Sequence, residues 1–323
     1  MSTQKVIAVV GATGSQGGGL VRAILDDPGQ DFTVRALTRD PASAKARELA
    51  AAGAEVVAAD LDDPASMRAA FDGAQGAYVV TNYWAPRSAE DEKARTRGEM
   101  ELAQAGVAAR AAKDALVPHV IWSTLEDTRD FFGTTDTVPT IDGRYKVPHF
   151  DAKSEADALF ADLEVPTTFL RTTFFFEGMA GGLGPVRGDD GTLILTMPMA
   201  DQPLAGIAVE DIGRTALGIF KRGNEFVGKT VSIAGDHLTG SQYAAAFTDA
   251  LGEPVRYQPL TWDQFRDQPF PTAIEMANMF QYYAQNSTQF VGDRRLAQVR
   301  ELNPQLQSFR DWLEIHRGEI SVD

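Results

Sequence analysis

Three glycines near the start of the chain stand at a spacing that can hold a diphosphate. Gly11, Gly14 and Gly17 form G-x-x-G-x-x-G, directly after an apolar, β-branched run at 6–10 and directly before a helical pattern at 16–25. The first glycine permits a tight strand-to-helix turn, the second lets backbone approach a pyrophosphate, and the third lets the helix lie close to the strand. Backbone N–H groups at the helix start then face the phosphates. A glycine-rich turn without ligand is the alternative, and the strand–turn–helix context weighs against it.

Further candidates fall at the ends of later strand patterns. Arg39 follows the strand at 32–38, where NAD-binding units carry an acidic residue for the ribose 2′-OH and NADP-binding units an arginine. Its planar guanidinium suits a 2′-phosphate, which favours NADP(H) over NAD(H); Asp40 is the acidic neighbour. Asp60 ends the strand at 55–59 and suits either an adenine-side contact or the turn ahead of Asp62-Asp63-Pro64. Thr81 and Asn82 follow the strand at 76–80, on the edge where open α/β sheets take ligands. Ser123, near the end of the strand at 119–124, can donate to a substrate carbonyl or satisfy its own turn. His149 and Lys153 stand four apart, on one face if a helix begins that early, with Tyr145 four further upstream. Hydride transfer with protonation needs a donor beside the nicotinamide. His149 and Tyr145 are the candidates; a capping or core role is the alternative for His149.

These residues need an alternation of strands and helices to position them. Helices are expected at 43–52, from Pro64, over 90–113 and at 151–163, and a sixth strand at 165–171. That order implies a doubly wound parallel sheet. Residues 90–97 carry alternating charge and read as a solvated face or mobile loop. Residues 125–150, rich in Asp, Gly, Thr and Pro, read as a flap over the pocket. Beyond Glu177 the pattern loosens: a glycine-rich bend at 181–191, short strands at 192–198 and 230–234, and helices at 209–220, 241–251, 261–267, 272–285 and 308–317. The expected division is 1–177 as a dinucleotide-binding domain and 178–323 as a smaller C-terminal α/β part, elements of which can return to the first.

Composition bounds the function. The 45 acidic against 30 basic residues leave a formal net charge of −15, the wrong footprint for nucleic acid or an anionic membrane. With no cysteine, disulfides and thiolate chemistry are excluded. Four histidines, at 119, 149, 237 and 316, lack ligand spacing, so no metal site is expected. No signal peptide and no membrane span are read, and a cytoplasmic location is expected.

The chain resembles the NmrA-like family, a branch of the atypical short-chain dehydrogenase/reductases. It is similar in particular to the family's NADPH-binding redox sensors. The resemblance is carried by Val9-Val-Gly-Ala-Thr-Gly-Ser-Gln-Gly-Gly18, Leu37-Thr-Arg-Asp-Pro41, Thr81-Asn-Tyr-Trp84, His149-Phe-Asp-Ala-Lys153, Phe175-Phe-Glu177, Ala277-Asn-Met-Phe280 and the segment 311–320. It implies a Rossmann domain with a smaller C-terminal part and a cleft between them. By position, residues 11–17, with Thr13, Ser15 and Gln16 among them, would hold the pyrophosphate and Arg39 the 2′-phosphate. Thr81, Asn82 and Tyr83 would line the cofactor channel, Lys153 would reach the nicotinamide ribose, and Phe174, Phe175, Phe176 and Glu177 would flank the nicotinamide end. A basic contact expected just before Gln104 falls on Ala103, with Lys93 and Arg95 as substitutes. Ordinary short-chain dehydrogenases use Tyr-x-x-x-Lys; here His149 replaces the tyrosine and Lys153 is kept. Two functions follow. One is an NADP(H) redox sensor with little or no turnover and a regulatory protein partner, with a homodimer as a family-level expectation. The other is an NADPH-dependent reductase of a carbonyl, quinone or enone in the interdomain cleft.

Overall fold

The β-branched and apolar runs do form strands, and the segments between them coil into helices. The computed structural model describes residues 4–133 and 137–322. Its first stretch runs β1 (Lys5–Val9), α1 (Ser15–Leu25), β2 (Phe32–Thr38), α2 (Ala44–Ala51), β3 (Glu55–Ala58), α3 (Pro64–Phe71), β4 (Gly76–Val79), α4 (Ala89–Ala94), α5 (Arg97–Asp114) and β5 (Val120–Thr124). The middle holds α6 (Arg129–Phe132), α7 (Pro148–Asp162), β6 (Thr167–Arg171), β7 (Phe174–Phe175), β8 (Val186–Arg187), β9 (Leu193–Leu195), β10 (Leu204–Ile207) and α8 (Val209–Lys221). The last part contains β11 (Thr230–Ser232), β12 (Asp236–Leu238), α9 (Gly240–Leu251), β13 (Val255–Tyr257), α10 (Trp262–Arg266), α11 (Ala273–Gln285), α12 (Ser287–Gly292), α13 (Leu296–Leu302) and α14 (Phe309–His316).

The main sheet is ordered β11-β6-β5-β4-β1-β2-β3. The strands from β6 to β3 are parallel to their neighbours, as expected of a doubly wound α/β sheet. Its order reverses between β1 and β4, the switch point beside which such sheets bind ligands. Two three-stranded sheets, β12-β10-β7 and β13-β9-β8, complete the architecture.

The chain falls into two compact units. The first comprises Met1–Asp127, His149–Arg171 and Ile212–Val231, and the second Thr128–Pro148, Thr172–Asp211 and Ser232–Asp323. One core of the first unit lies where α3 and α5 cover the sheet. Ala105, Ala108, Ala109 and Ala112 of α5 pack there with Met67, Phe71, Val79, Trp122 and Phe160. Alanine on the buried face lets a helix lie close to a sheet. The second unit buries Phe176, Phe309, Trp312, Tyr243 and Phe247. Phe309 meets the other four rings at centroid distances of 4.7–5.8 Å.

Three local readings change. The helix expected over 90–113 is two helices, α4 and α5. Thr96 breaks it: its Oγ accepts from the Glu99 N–H, and the Glu99 carboxylate accepts from the Thr96 N–H, a reciprocal cap that starts a new helix. The helix carrying Lys153 begins at Pro148 rather than 151, because proline's fixed φ suits a first helical position. The segment expected as a flap contains the short helix α6 and an antiparallel bridge between Ile141 and Tyr145; its residues 134–136 lie outside the described residues. Within the second unit Asn278 of α11 ties this segment down, its Nδ2 donating to the carbonyls of Pro139 (3.0 Å) and Lys146 (2.7 Å).

Candidate functional site

The glycine turn has the geometry its spacing predicts. Gly11 sits at φ +69°, in the left-handed region. A Cβ on Gly17 would lie 2.4 Å from the Gly11 carbonyl oxygen and 2.8 Å from that of Val10. Gly17 therefore sets the approach of α1 to the end of β1. Gly14 is the N-cap of α1 and supplies no capping side chain. By contrast α2, α3, α4 and α5 each carry a Ser, Asp or Thr oxygen on first-turn N–H groups. The start of α1 thus offers N–H donors that no cap consumes, which fits a diphosphate.

Gln16, half-buried, is pinned from below. Its Oε1 accepts from the hydroxyls of Tyr78 on β4 and Ser123 on β5, each at 2.8 Å. Tyr78 is fully buried, and desolvation holds its phenol well above the usual range. The Ser123 hydroxyl is thus given to Gln16.

Beside this, at the ends of β4 and β5, is a buried polar cluster centred on Lys153. Its Nζ donates to Thr81 Oγ1 (2.8 Å) and to the Thr81 carbonyl (3.2 Å), and pairs with Glu101 Oε1 at 2.9 Å. Thr81 Oγ1 in turn donates to Glu101 Oε1 at 2.5 Å. Glu101 is 0 % exposed and Lys153 7 %. The other carboxylate oxygen, Glu101 Oε2, is buried and has no hydrogen-bond partner among the described residues. The ammonium also lies 5.0 Å from the centre of the Trp122 ring, whose Nε1 donates to Asp157 at 2.8 Å. Burial pushes Asp157 up to about 6, against the pull of hydrogen bonds from Thr124 and Trp122 and the nearby Arg171 and Lys153.

His149 lies one turn before Lys153 on α7. Its ring packs among Tyr83 (5.9 Å), Trp84 (5.1 Å) and Phe150 (4.9 Å). Tyr83 is buried, and its carbonyl accepts from Arg97. Asn82 is exposed and turns back to accept from the Trp84 N–H. Thr13 is half-buried and Ser15 exposed.

Arg39 is exposed and, among the described residues, has no hydrogen-bond or ion-pair partner. Asp40 accepts from the Ala42 N–H and shapes the turn. Asp60 is likewise held in its turn, accepting from the Asp62 N–H while its own N–H donates to Ser66. Of the substitutes for Ala103, Arg95 pairs with Asp62 at 3.0 Å, and Gln104 donates to the same carboxylate at 2.9 Å; Lys93 is exposed on α4.

The remaining candidates belong to the second unit. Tyr145 is buried there with the guanidinium groups of Arg144 and Arg129 over its ring, at 4.7 and 5.5 Å. Phe174 is buried and Phe175 half-buried on β7, and Phe176 lies in the aromatic core. Glu177 Oε1 accepts from the Val209 N–H at the start of α8 and from Trp312 Nε1. Burial raises the Glu177 carboxyl above its usual range, partly offset by these bonds.

Sequence reasoning missed Glu101, Asp157 and Tyr78. A signal for Glu101 was present: it shares a helix face with Ala105, Ala108 and Ala112, so a carboxylate stood on a face otherwise made for burial. Among the described residues no group of three or more His, Asp or Glu side chains is placed to hold a metal ion. No described helix is long and apolar enough to cross a membrane.

A parallel sheet with this strand order, and a glycine turn after its first strand, defines a Rossmann-type α/β protein. The profile of the NmrA-like family matches residues 3–313, and the chain belongs to that family. It is 30% identical over 307 residues to the NmrA-like family domain-containing oxidoreductase FrzB of Cladobotryum sp., covering 90% of this chain and 86% of that one. Two solved structures share the fold. The negative transcriptional regulator NmrA in complex with NADP superposes with a TM-score of 0.75 at 23% identity, over 96% of this chain and 94% of that one. The triphenylmethane reductase of Citrobacter sp. complexed with NADP(H) gives 0.71 at 17% identity, over 96% and 99%.

Proposed function

We propose that this chain binds NADP(H) in preference to NAD(H) and works as a redox-state sensor with little or no turnover, passing occupancy of the site to a protein partner. In this reading the uncapped start of α1 and residues 11–17 hold the pyrophosphate, Arg39 the 2′-phosphate, and Thr81 to Tyr83 with Lys153 the nicotinamide half. When bound, the cofactor would supply hydride chemistry; the chain's own residues bind and orient. The observation that carries the sensor reading is that the donors a reductase would use are committed within the chain. The Lys153 ammonium is surrounded by Thr81 and Glu101, and the Ser123 hydroxyl is given to Gln16. His149 stands where ordinary short-chain dehydrogenases have a tyrosine.

A reductase of carbonyls, quinones or enones is the second reading. It is favoured by the retained Lys153 and by FrzB, named an oxidoreductase and matched over most of its length. Titration with NADPH and NADH by nicotinamide fluorescence, followed by a panel of quinones, enones and aldehydes, separates the two. Tight NADPH binding without oxidation is the expected result. Oxidation at enzyme-like rates overturns the sensor and makes Lys153 the first residue to substitute.

A further inference from the structure

The environment of Lys153 poses a problem of donor supply. An ammonium has three N–H donors and no acceptor. Three acceptors surround this one: Thr81 Oγ1, the Thr81 carbonyl and Glu101 Oε1, at 2.8, 3.2 and 2.9 Å. Two donors are given to Thr81 and the charge is paired with Glu101, so the ammonium is engaged by the chain itself. Of the three contacts only that to Glu101 is ionic, and its carboxylate is fully buried on α5. Thr81 Oγ1 donates to the same Glu101 oxygen, so the carboxylate keeps one partner when the ammonium turns away.

We propose that Glu101 is a positioning residue that lowers the cofactor affinity of this site by holding Lys153 away from it. The proposal rests on the reading that NADP(H) occupies the site, and it names how occupancy there is tuned. For Lys153 to reach the ribose it must leave Glu101. A buried carboxylate stripped of its cation is costly, and that cost is subtracted from cofactor affinity. A sensor gains from this arrangement: weakened binding keeps occupancy responsive to the cofactor pool instead of saturated.

The test compares NADPH dissociation constants, by nicotinamide fluorescence, for the wild type, Glu101→Gln, Lys153→Met and the double variant. Glu101→Gln keeps the shape and an acceptor for Thr81 but removes the charge. It is expected to bind NADPH about tenfold more tightly. Lys153→Met binds more weakly than wild type, and the double variant matches Lys153→Met, because Glu101 acts through the lysine. A second readout needs no variant. The Trp122 indole N–H resonance in a 1H–15N spectrum shifts when wild-type protein is saturated with NADPH, since the ammonium leaves its place over that ring. Unchanged or weaker binding by Glu101→Gln overturns the proposal, as does equal tightening in the Lys153→Met background. A Trp122 resonance that stays put at saturation also overturns it, and decides alone if Glu101→Gln does not fold. If neither wild type nor Glu101→Gln binds NADPH at millimolar concentration, the cofactor reading itself falls and this inference with it. A wild type that binds NADPH without this coupling sinks the Glu101 proposal only.

Discussion

Arg39 stands exposed at the end of β2 without a partner among the described residues, so removing its guanidinium leaves the fold intact. Arg39→Ala is expected to weaken NADPH binding by roughly ten- to a hundredfold while NADH binding changes little. Titration with both nucleotides checks it; equal losses would mean that Arg39 does not read the 2′-phosphate. Two titratable groups of the first unit set a different kind of expectation. Burial holds His119, whose Nε2 meets Thr168 Oγ1 at 2.8 Å, down to about 4. Its contribution to stability is complete above pH 6.5 and is lost as pH falls through about 4. Asp157, pushed up to about 6 by burial, has the opposite sign: its contribution is complete below about pH 4 and is lost as pH rises through 6. Each shift corresponds to about 3 kcal/mol at 1.36 kcal/mol per unit, so the two nearly cancel between pH 4 and 6.5. Asp157→Asn, which keeps an acceptor for Trp122, removes one side of that balance. Urea unfolding at pH 4.5 and pH 7 is expected to show the variant losing about 2 kcal/mol more than wild type on acidification; parallel behaviour would show that Asp157 does not titrate in this window.

Helix packing in the first unit depends on glycine at two kinds of place, and only one was legible. Gly17 belongs to a motif of local spacing, so its close approach to β1 could be read from the chain. Gly213 on α8 could not: a Cβ there would lie 2.2 Å from the Leu20 nitrogen and 2.3 Å from the Gly19 carbonyl carbon of α1, nearly two hundred residues earlier. The same divide runs through the candidate site. The strand ends, the glycine turn and the i,i+4 pair on α7 follow from local pattern. The Glu101–Lys153 pair does not, since it needs α5 and α7 brought together over β4 and β5. Helix boundaries slipped where local chemistry was underweighted, as at the Thr96/Glu99 cap and Pro148. Gly213→Ala gains about 1 kcal/mol of helix propensity but forces two backbones apart. A net loss of about 1–3 kcal/mol is expected, with NADPH affinity retained in the folded fraction. Gly17→Ala is expected to lose stability and NADPH affinity together, because the displaced backbone is the turn proposed to hold the phosphates. Thermal melts with nucleotide titrations separate the cases; a Gly213→Ala protein as stable as wild type would show that α1 and α8 do not meet so closely.

The molecule as a whole carries a net charge of −15, and that charge constrains how any regulatory output can leave it. Affinity for duplex DNA comes largely from displacing counterions with lysine and arginine, which makes it steeply salt-dependent. Here many of the basic side chains are spent at home. Arg35 pairs with Glu55, Arg95 with Asp62, Arg187 with Glu253, Arg256 with Asp190 and Arg310 with Asp249, while Lys153 and Arg294 are buried. The surplus surface charge is acidic and repels a phosphate backbone. In the proposed reading a nucleotide escapes this repulsion because the N–H groups of the glycine turn and the exposed Arg39 receive it locally; a duplex spreads its charge over a long face and cannot. In the proposed sensor reading, output therefore passes through a protein intermediary. Fluorescence anisotropy with a 30-base-pair duplex, with and without saturating NADPH, is expected to show no binding up to roughly 10 µM protein at 150 mM salt, and none that grows steeply as salt falls to 50 mM. Binding with such a salt slope would place DNA contact within the chain itself and remove the need for a partner.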